Sequence, residues 1–118
     1  MDENKLRGLM GLCVRAGQAV FGEDGCMKAI RQGQCAVLLM DGRASPATRD
    51  KYRWACFHAQ TPMGELPEGM LYGATGKPGV AMAIRPGGLA EQIQGILPVR
   101  APDQPMTSAN KCGGASVE

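Results

Sequence analysis

The chain has few of the residues that build metal sites and catalytic centres. It contains a single histidine, His58, and none of its five cysteines belongs to a C-x-x-C pair. A zinc site needs clustered cysteine or histidine ligands, so the sequence predicts no metal and no other cofactor. Cys56 and His58 do not predict a nucleophile and base either, because residues two apart on a helix point in different directions. We therefore expect a protein that is not an enzyme.

The chain also lacks a long apolar run and a large excess of either charge. No segment reaches the ~20 apolar residues that a membrane-spanning helix needs, and residues 1–4 are too polar for a signal peptide. The odd number of cysteines, mostly within apolar runs, is typical of reduced, buried thiols. These features predict a cytoplasmic protein. With 13 Lys and Arg against 11 Asp and Glu, the net charge is only +2, so a nucleic acid would have to meet a local basic patch.

Apolar periodicity divides most of the chain into alternating helices and strands. Residues 4–16 have the spacing of an amphipathic helix, residues 35–40 form a continuously apolar strand, and Ser45-Pro46 is typical of a helix start. At 118 residues the chain is long enough for one core. The alternation predicts an α/β fold, a three-layer α/β/α sandwich around a sheet of about four strands, mostly parallel with some antiparallel pairing.

The end of the chain differs from the rest. Residues 98–118 contain Pro98, Pro102, Pro105 and the pair Gly113-Gly114 among scattered polar residues. Such a segment has too little apolar surface to offset its ordering entropy. We predict a single domain over residues 1–97 and a disordered C-terminal tail over residues 98–118.

A glycine-hinged turn leads directly into the second helix, within residues 20–33. The first N–H groups of a helix have no partner inside it, and with the helix dipole they favour a hydrogen-bonding ligand. Gly22 and Gly25 allow close approach, and Lys28 and Arg31 lie three residues apart on one outer face. The turn and the two cations can address one ligand, although on spacing alone a solvated helix face is the better explanation of the cations.

The same stretch resembles the kink-turn-binding ribosomal protein superfamily, which includes large-subunit proteins seven-Ae and thirty-e, and within it the bacterial YlxQ-like proteins. The resemblance extends over residues 6–97. The residues that carry it are Arg15-Ala16-Gly17, Gly22, Lys28-Ala29-Ile30-Arg31, Gly33, Ala36-Val37-Leu38-Leu39, residues 45–51, Cys56, Pro62 and Leu66-Pro67.

The resemblance implies the same sandwich fold and a structured-RNA partner, either a kink-turn or ribosomal RNA. It also implies that RNA is bound at one end of the fold, by the start of the second helix and the loop after the third strand. Arg43 is a further candidate for a phosphate contact, and an apolar pair such as Leu66-Pro67 can cover an extruded base. The expected RNA-binding residues are Gly22, Glu23, Asp24, Gly25, Lys28, Arg31, Arg43, Leu66 and Pro67.

One dipeptide departs from the family pattern. Kink-turn binders commonly carry Asn-Glu in the turn before the second helix, where the two side chains reach the edges of sheared G·A pairs. The matching positions here are Asp24 and Gly25. The resemblance therefore predicts RNA binding more directly than it predicts kink-turn specificity.

The third predicted helix suggests an alternative function. Its inner stripe is predicted to contain Tyr52, Ala55, Cys56 and Ala59, which leaves the Trp54/Phe57 pair outside it. These two aromatic residues either fill a second core layer or form an exposed patch that binds another chain. The alternative to RNA binding is thus a protein-interaction adaptor on the same fold, with Trp54 and Phe57 as the contact residues.

Overall fold

A computed structural model of the protein describes residues 2–100. Among these residues, no helix has the length and apolarity needed to cross a lipid bilayer. The structure is the predicted α/β sandwich, with helices on both faces of a central sheet. The elements are α1 (Glu3–Arg15), β1 (Ala19–Phe21), α2 (Glu23–Arg31), β2 (Val37–Asp41), α3 (Pro46–Ala59), β3 (Met63–Leu66), α4 (Met70–Thr75), β4 (Ala81–Ile84), α5 (Gly88–Ile96) and β5 (Val99–Arg100).

The sheet has five strands in the order β1-β4-β2-β3-β5. Only β2 and β3 pair in parallel, whereas β4 is antiparallel to both β1 and β2, and β5 is antiparallel to β3. The α/β fold class is therefore confirmed, but the expectation of a mostly parallel sheet is wrong. The alternation of helices and strands predicted the layers and did not predict where β4 inserts.

The short helix α4 explains the direction of β4. A parallel connection needs a crossover that returns the chain to the starting edge of the sheet, usually through a long helix. With six residues, α4 is about 9 Å long at 1.5 Å per residue, which is shorter than the strand that it follows. The chain therefore enters β4 near the edge where β3 ended, and β4 runs antiparallel.

Alternate residues of the central strands face two separate cores. In β2, Val37 and Leu39 face the layer of α1, α4 and α5, while Leu38 and Met40 face the layer of α2 and α3. The first core is built mainly from large aliphatic side chains, and the second contains more alanine and cysteine. All residues of β2 are buried, as expected for a strand that is covered on both faces.

The last described strand extends the sheet past the predicted domain boundary. Val99 pairs with Gly64, and Arg100 pairs with Met63, at the outer side of β3. Val99 is half-buried against the first core, so the ordered domain continues beyond Leu97. Residues 101–118 of the predicted tail lie outside the described residues.

Helix α3 has the predicted start and most of the predicted buried stripe. The Ser45 side chain accepts a hydrogen bond from the Thr48 N–H group at 3.2 Å, as expected of an N-cap. Tyr52 and Cys56 are buried, but Ala59 is exposed and does not belong to the stripe, because the helix ends there and the chain turns away through Gln60, whose φ is 58°. Trp54 and Phe57 are half-exposed.

Candidate functional site

Three loops meet at one edge of the sheet. Strands β1 and β2 run in the same direction because both are antiparallel to β4, and β3 is parallel to β2. Their carboxyl ends therefore lie together, and α2, α3 and α4 begin there. We call this the loop edge and define it as residues 22–24, 41–44 and 66–69. At about 4.8 Å per strand, the three spacings from β1 to β3 place its ends about 14 Å apart.

Asp41 ties two of these loops together. Its Oδ1 accepts hydrogen bonds from the backbone N–H groups of Arg43 at 2.9 Å and Gly69 at 3.0 Å, and its Oδ2 accepts one from Leu71 at 3.0 Å. Its own N–H donates to the Val80 carbonyl at 2.8 Å. The side chain of Asp41 thus fixes the start of α4 to the loop after β2, and its backbone N–H fixes the start of β4 to the same residue.

The environment of Asp41 favours its charged form. The side chain is only 2% exposed, and burial by itself raises the pKa of a carboxyl group. The three N–H donors and the nearby Arg43 charge oppose that effect and hold the pKa of Asp41 below its ordinary value. A buried carboxylate satisfied in this way is a strong structural link between loops.

The third loop of the edge, at the start of α2, has no comparable link. Gly22 is the N-cap with φ 86°, which favours glycine, and no side chain within residues 2–100 caps this helix start. Cys26 N–H donates to the Gly22 carbonyl at 2.9 Å as the first bond of the helix, so the preceding N–H groups point outward. The Glu23 carboxylate pairs with Lys51 of α3 at 2.8 Å, while Asp24 is exposed beside it.

A side chain at position 25 would point toward the sheet. A Cβ placed there would lie 3.0 Å from Cγ1 of Val20 in β1. The position therefore faces the sheet, and the absence of a side chain lets α2 pack closely on β1. A side chain at position 25 would therefore meet Val20 and could not reach a ligand.

The two cations of α2 flank the loop edge rather than belonging to it. With 1.5 Å of rise per residue, Lys28 and Arg31 lie about 9 Å and 13 Å along the helix from Gly22. Both are exposed, and neither takes part in an ion pair with residues 2–100. They can meet only a ligand that is large enough to extend along α2 from its start.

At the β3 side of the loop edge, only part of the predicted pair is accessible. Pro67 is exposed, as is Arg43 across from it. Leu66, in contrast, is 2% exposed and belongs to the core under α1 and α4. Leu66 therefore cannot cover a base, because β3 continues through it and turns its side chain inward. The structure thus places this predicted site residue in the core and not on the accessible surface of the loop edge.

Arg49 is a second link at the loop edge that the sequence did not reveal. Its guanidinium donates to the carbonyls of Ala44 at 3.2 Å and Asp41 at 3.3 Å, and it pairs with Glu65 of β3. In the sequence Arg49 is one of several cations on the outer side of α3, and Asp41 only precedes a turn. A polar residue that ends a wholly apolar strand was the available signal for Asp41.

The buried cysteines are poor nucleophiles. Cys13, Cys26, Cys35 and Cys56 are buried and form no disulfide. Burial raises the pKa of all four thiols, to about 12 for Cys35 and Cys56, so they are protonated at neutral pH and lack thiolate reactivity. Over residues 2–100, no three Cys, His, Asp or Glu side chains lie together as a metal site would require.

Comparison with known proteins supports the fold but indicates no activity. The chain is similar to a solved structure of a protein with unknown function from Bacillus halodurans, with a TM-score of 0.72 and 28% sequence identity over 77% of this chain and 94% of that chain. No protein-family model and no curated protein matches the sequence. The similar structure supports the α/β architecture described above.

Proposed function

We propose that the protein binds structured RNA at the loop edge, with a kink-turn or ribosomal RNA as its target. The observation that carries the proposal is the link made by Asp41, which holds the loop after β2 beside the start of α4. Through this link the exposed Arg43 and Pro67 are held in fixed positions at the same edge as the start of α2. A fixed surface suits RNA that is recognised by its shape.

The loop edge itself carries more acidic than basic side chains, so the positive charge for this partner comes from Arg43 and from the flank of α2. The uncapped N–H groups of α2 are donors that suit phosphate oxygens. Glu23 would repel phosphate, but its charge is offset by Lys51 at 2.8 Å. Lys28 and Arg31 add exposed positive charge along the outer face of α2. RNA docked at the helix start would thus meet positive charge on its flank.

We further propose that binding is the whole activity and that no cofactor is used. The burial of the four described cysteines, which keeps their thiols protonated and unavailable as nucleophiles, is consistent with this. Reduced cysteines are also typical of the cytoplasm, which is the compartment that we propose.

The proposal can be tested by fluorescence anisotropy with a labelled kink-turn duplex and a straight duplex of the same composition. Arg43→Ala should weaken binding of the bent RNA by about 1–3 kcal/mol. Arg85→Ala is the matched control, since Arg85 is also exposed but follows β4 at the opposite edge of the sheet. Absence of RNA binding at low salt, or an equal loss for both variants, would refute the proposed interface.

A second candidate function is supported by the outer face of α3. The rings of Trp54 and His58 are stacked with centroids 5.6 Å apart, and Phe57 meets Trp54 edge-on at 6.1 Å. An aromatic cluster that is half-exposed is typical of a protein contact. On this alternative the chain is an adaptor, and Trp54→Ala would abolish capture of a protein partner without affecting RNA.

A further inference from the structure

An exposed tyrosine lies next to the loop edge. Tyr72 in α4 is 58% exposed, and Leu12 in α1 at 43% is the only other large apolar side chain of residues 2–100 that is so accessible. Tyr72 is flanked in α4 by Met70 and Leu71, which are both buried. Because these neighbours occupy the inner side of the helix, the tyrosine ring is directed away from the core.

The position of Tyr72 is fixed by the same link that organises the loop edge. Gly69 and Leu71, just before it, donate their N–H groups to Asp41. Side chains of a helix lean toward its N-terminus, and α4 begins at the loop edge. The ring therefore leans toward residues 66–69, at the place where the sequence led us to expect an apolar cover for a base.

A cation accompanies the tyrosine. A Cβ placed on Gly73 would lie 3.4 Å from Nη1 of Arg7, so the Arg7 guanidinium rests against α4 at the residue after Tyr72. Arg7 is exposed and makes no ion pair within residues 2–100, although Glu3 is one turn away on the same helix. Glu68, exposed in the preceding loop, is the acidic residue nearest in sequence to the start of α4.

We propose that Tyr72 stacks on an unpaired base of the bound RNA while Arg7 contacts the phosphate beside that base. This inference rests on the proposed function and extends its surface from the loop edge onto α1 and α4. An aromatic ring beside a cation is the combination that single-stranded nucleotides require, because every base has a face to stack and every linkage carries a negative charge. Tyr72 thus covers the base that the sequence assigned to Leu66, whose side chain is buried.

Affinity measurements separate the stacking contact from the charged contact. Against a labelled RNA hairpin with an unpaired bulge, Tyr72→Ala should raise the Kd about 5- to 100-fold, in line with the loss of one stacked base. Tyr72→Phe keeps the ring and should remain within about twofold of the wild type. Leu12→Ala is the matched control, because Leu12 is an exposed apolar residue that lies about 140° around α1 from Arg7, and it should leave the Kd unchanged.

The salt dependence gives an independent readout for Arg7. Arg7→Ala should reduce the slope of log K against log salt concentration by about one, whereas Tyr72→Ala should leave the slope unchanged. Replacement of the bulged base by 2-aminopurine reports stacking directly, since its fluorescence should fall on binding the wild type and Tyr72→Phe but not Tyr72→Ala. Circular dichroism confirms that each variant is folded.

The outcomes distinguish this inference from the function on which it rests. If the wild type binds the hairpin and Tyr72→Ala binds it equally well with the same 2-aminopurine signal, the stacking contact is refuted and the loop edge remains the RNA site. If the wild type fails to bind RNA at all, both proposals are refuted. A loss for Tyr72→Ala that Tyr72→Phe restores supports the base contact.

Discussion

The loop after β2 and the start of α2 lie at the same edge of the sheet but are built in opposite ways. Asp41 is 2% exposed and binds three backbone N–H groups, so its loop is fixed from inside the protein. The start of α2 has a glycine N-cap and no capping side chain within residues 2–100. One end of a sheet can thus combine a loop that is fixed from inside the protein with a helix start whose N–H donors have no side-chain partner.

Substitution of Asp41 should have the largest effect on the stability of the protein. Asp41→Asn replaces a carboxylate with an amide that cannot accept all three N–H groups, and we expect it to lower the free energy of unfolding by about 2–4 kcal/mol. Urea denaturation at pH 7 measures this loss. The matched control is Asp24→Asn in the exposed turn, where the change should stay below about 1 kcal/mol. Equal losses for the two variants would abolish the contrast between the two loops.

Acid should reduce the contribution of Asp41. Because its folded-state pKa is held below the ordinary value, the stabilisation is complete above the unfolded pKa of about 4 and is lost as the pH falls through the folded pKa. The difference in unfolding free energy between wild type and Asp41→Asn should therefore shrink between pH 5 and about pH 2. A difference that is constant over this range would show that the charge of Asp41 is not what links the loops.

RNA affinity should depend on the exposed cations of α2. We expect Lys28→Ala to weaken binding of a kink-turn or ribosomal RNA fragment by about 1–3 kcal/mol, because an exposed cation on α2 loses its phosphate partner. Anisotropy titrations at two salt concentrations measure the loss, with Arg85→Ala as the control at the opposite edge. Wild-type affinity for Lys28→Ala would remove α2 from the interface.

The strand that extends the domain past Leu97 should contribute a smaller stability. Deleting residues 98–118 removes the pairing of Val99 and Arg100 with β3 and exposes the core beside Val99, so we expect a loss of about 1–2 kcal/mol relative to a variant that lacks only residues 101–118. Thermal unfolding of the two truncated proteins measures it. Identical melting temperatures would show that residues 98–100 do not stabilise the domain, which would then end at residue 97.

The smallest expected effect concerns the acidic turn. Asp24→Asn supplies a donor, removes a charge that repels phosphate, and introduces the residue that kink-turn binders commonly carry in this turn, so we expect kink-turn affinity to rise by less than about 1 kcal/mol. Adding Gly25→Glu to this variant should give no further gain in affinity, because a Cβ at position 25 would lie 3.0 Å from Val20. Titration against bent and straight duplexes compares both variants, and a gain that appears only with Gly25→Glu would contradict the packing at that position.

Features that depend on local sequence patterns, such as helix starts and buried helix faces, were predicted from the sequence. The apolar spacing of Leu6, Leu9, Met10 and Cys13 predicted the buried face of α1, and Ser45-Pro46 predicted the start of α3. It did not predict the antiparallel insertion of β4, because strand order depends on packing between distant segments. For the same reason Leu66 looked like a loop residue, and Asp41 and Tyr72 gained significance only when α4 was placed beside the end of β2.

Binding of RNA at the loop edge can be followed through the amide chemical shifts of the ¹⁵N-labelled protein during titration with a kink-turn duplex. We expect the largest changes at Glu23, Asp24, Arg43 and Gly69, and no change at the opposite edge around Arg85. Changes confined to the outer face of α3 around Trp54, or none at saturating RNA, would contradict it.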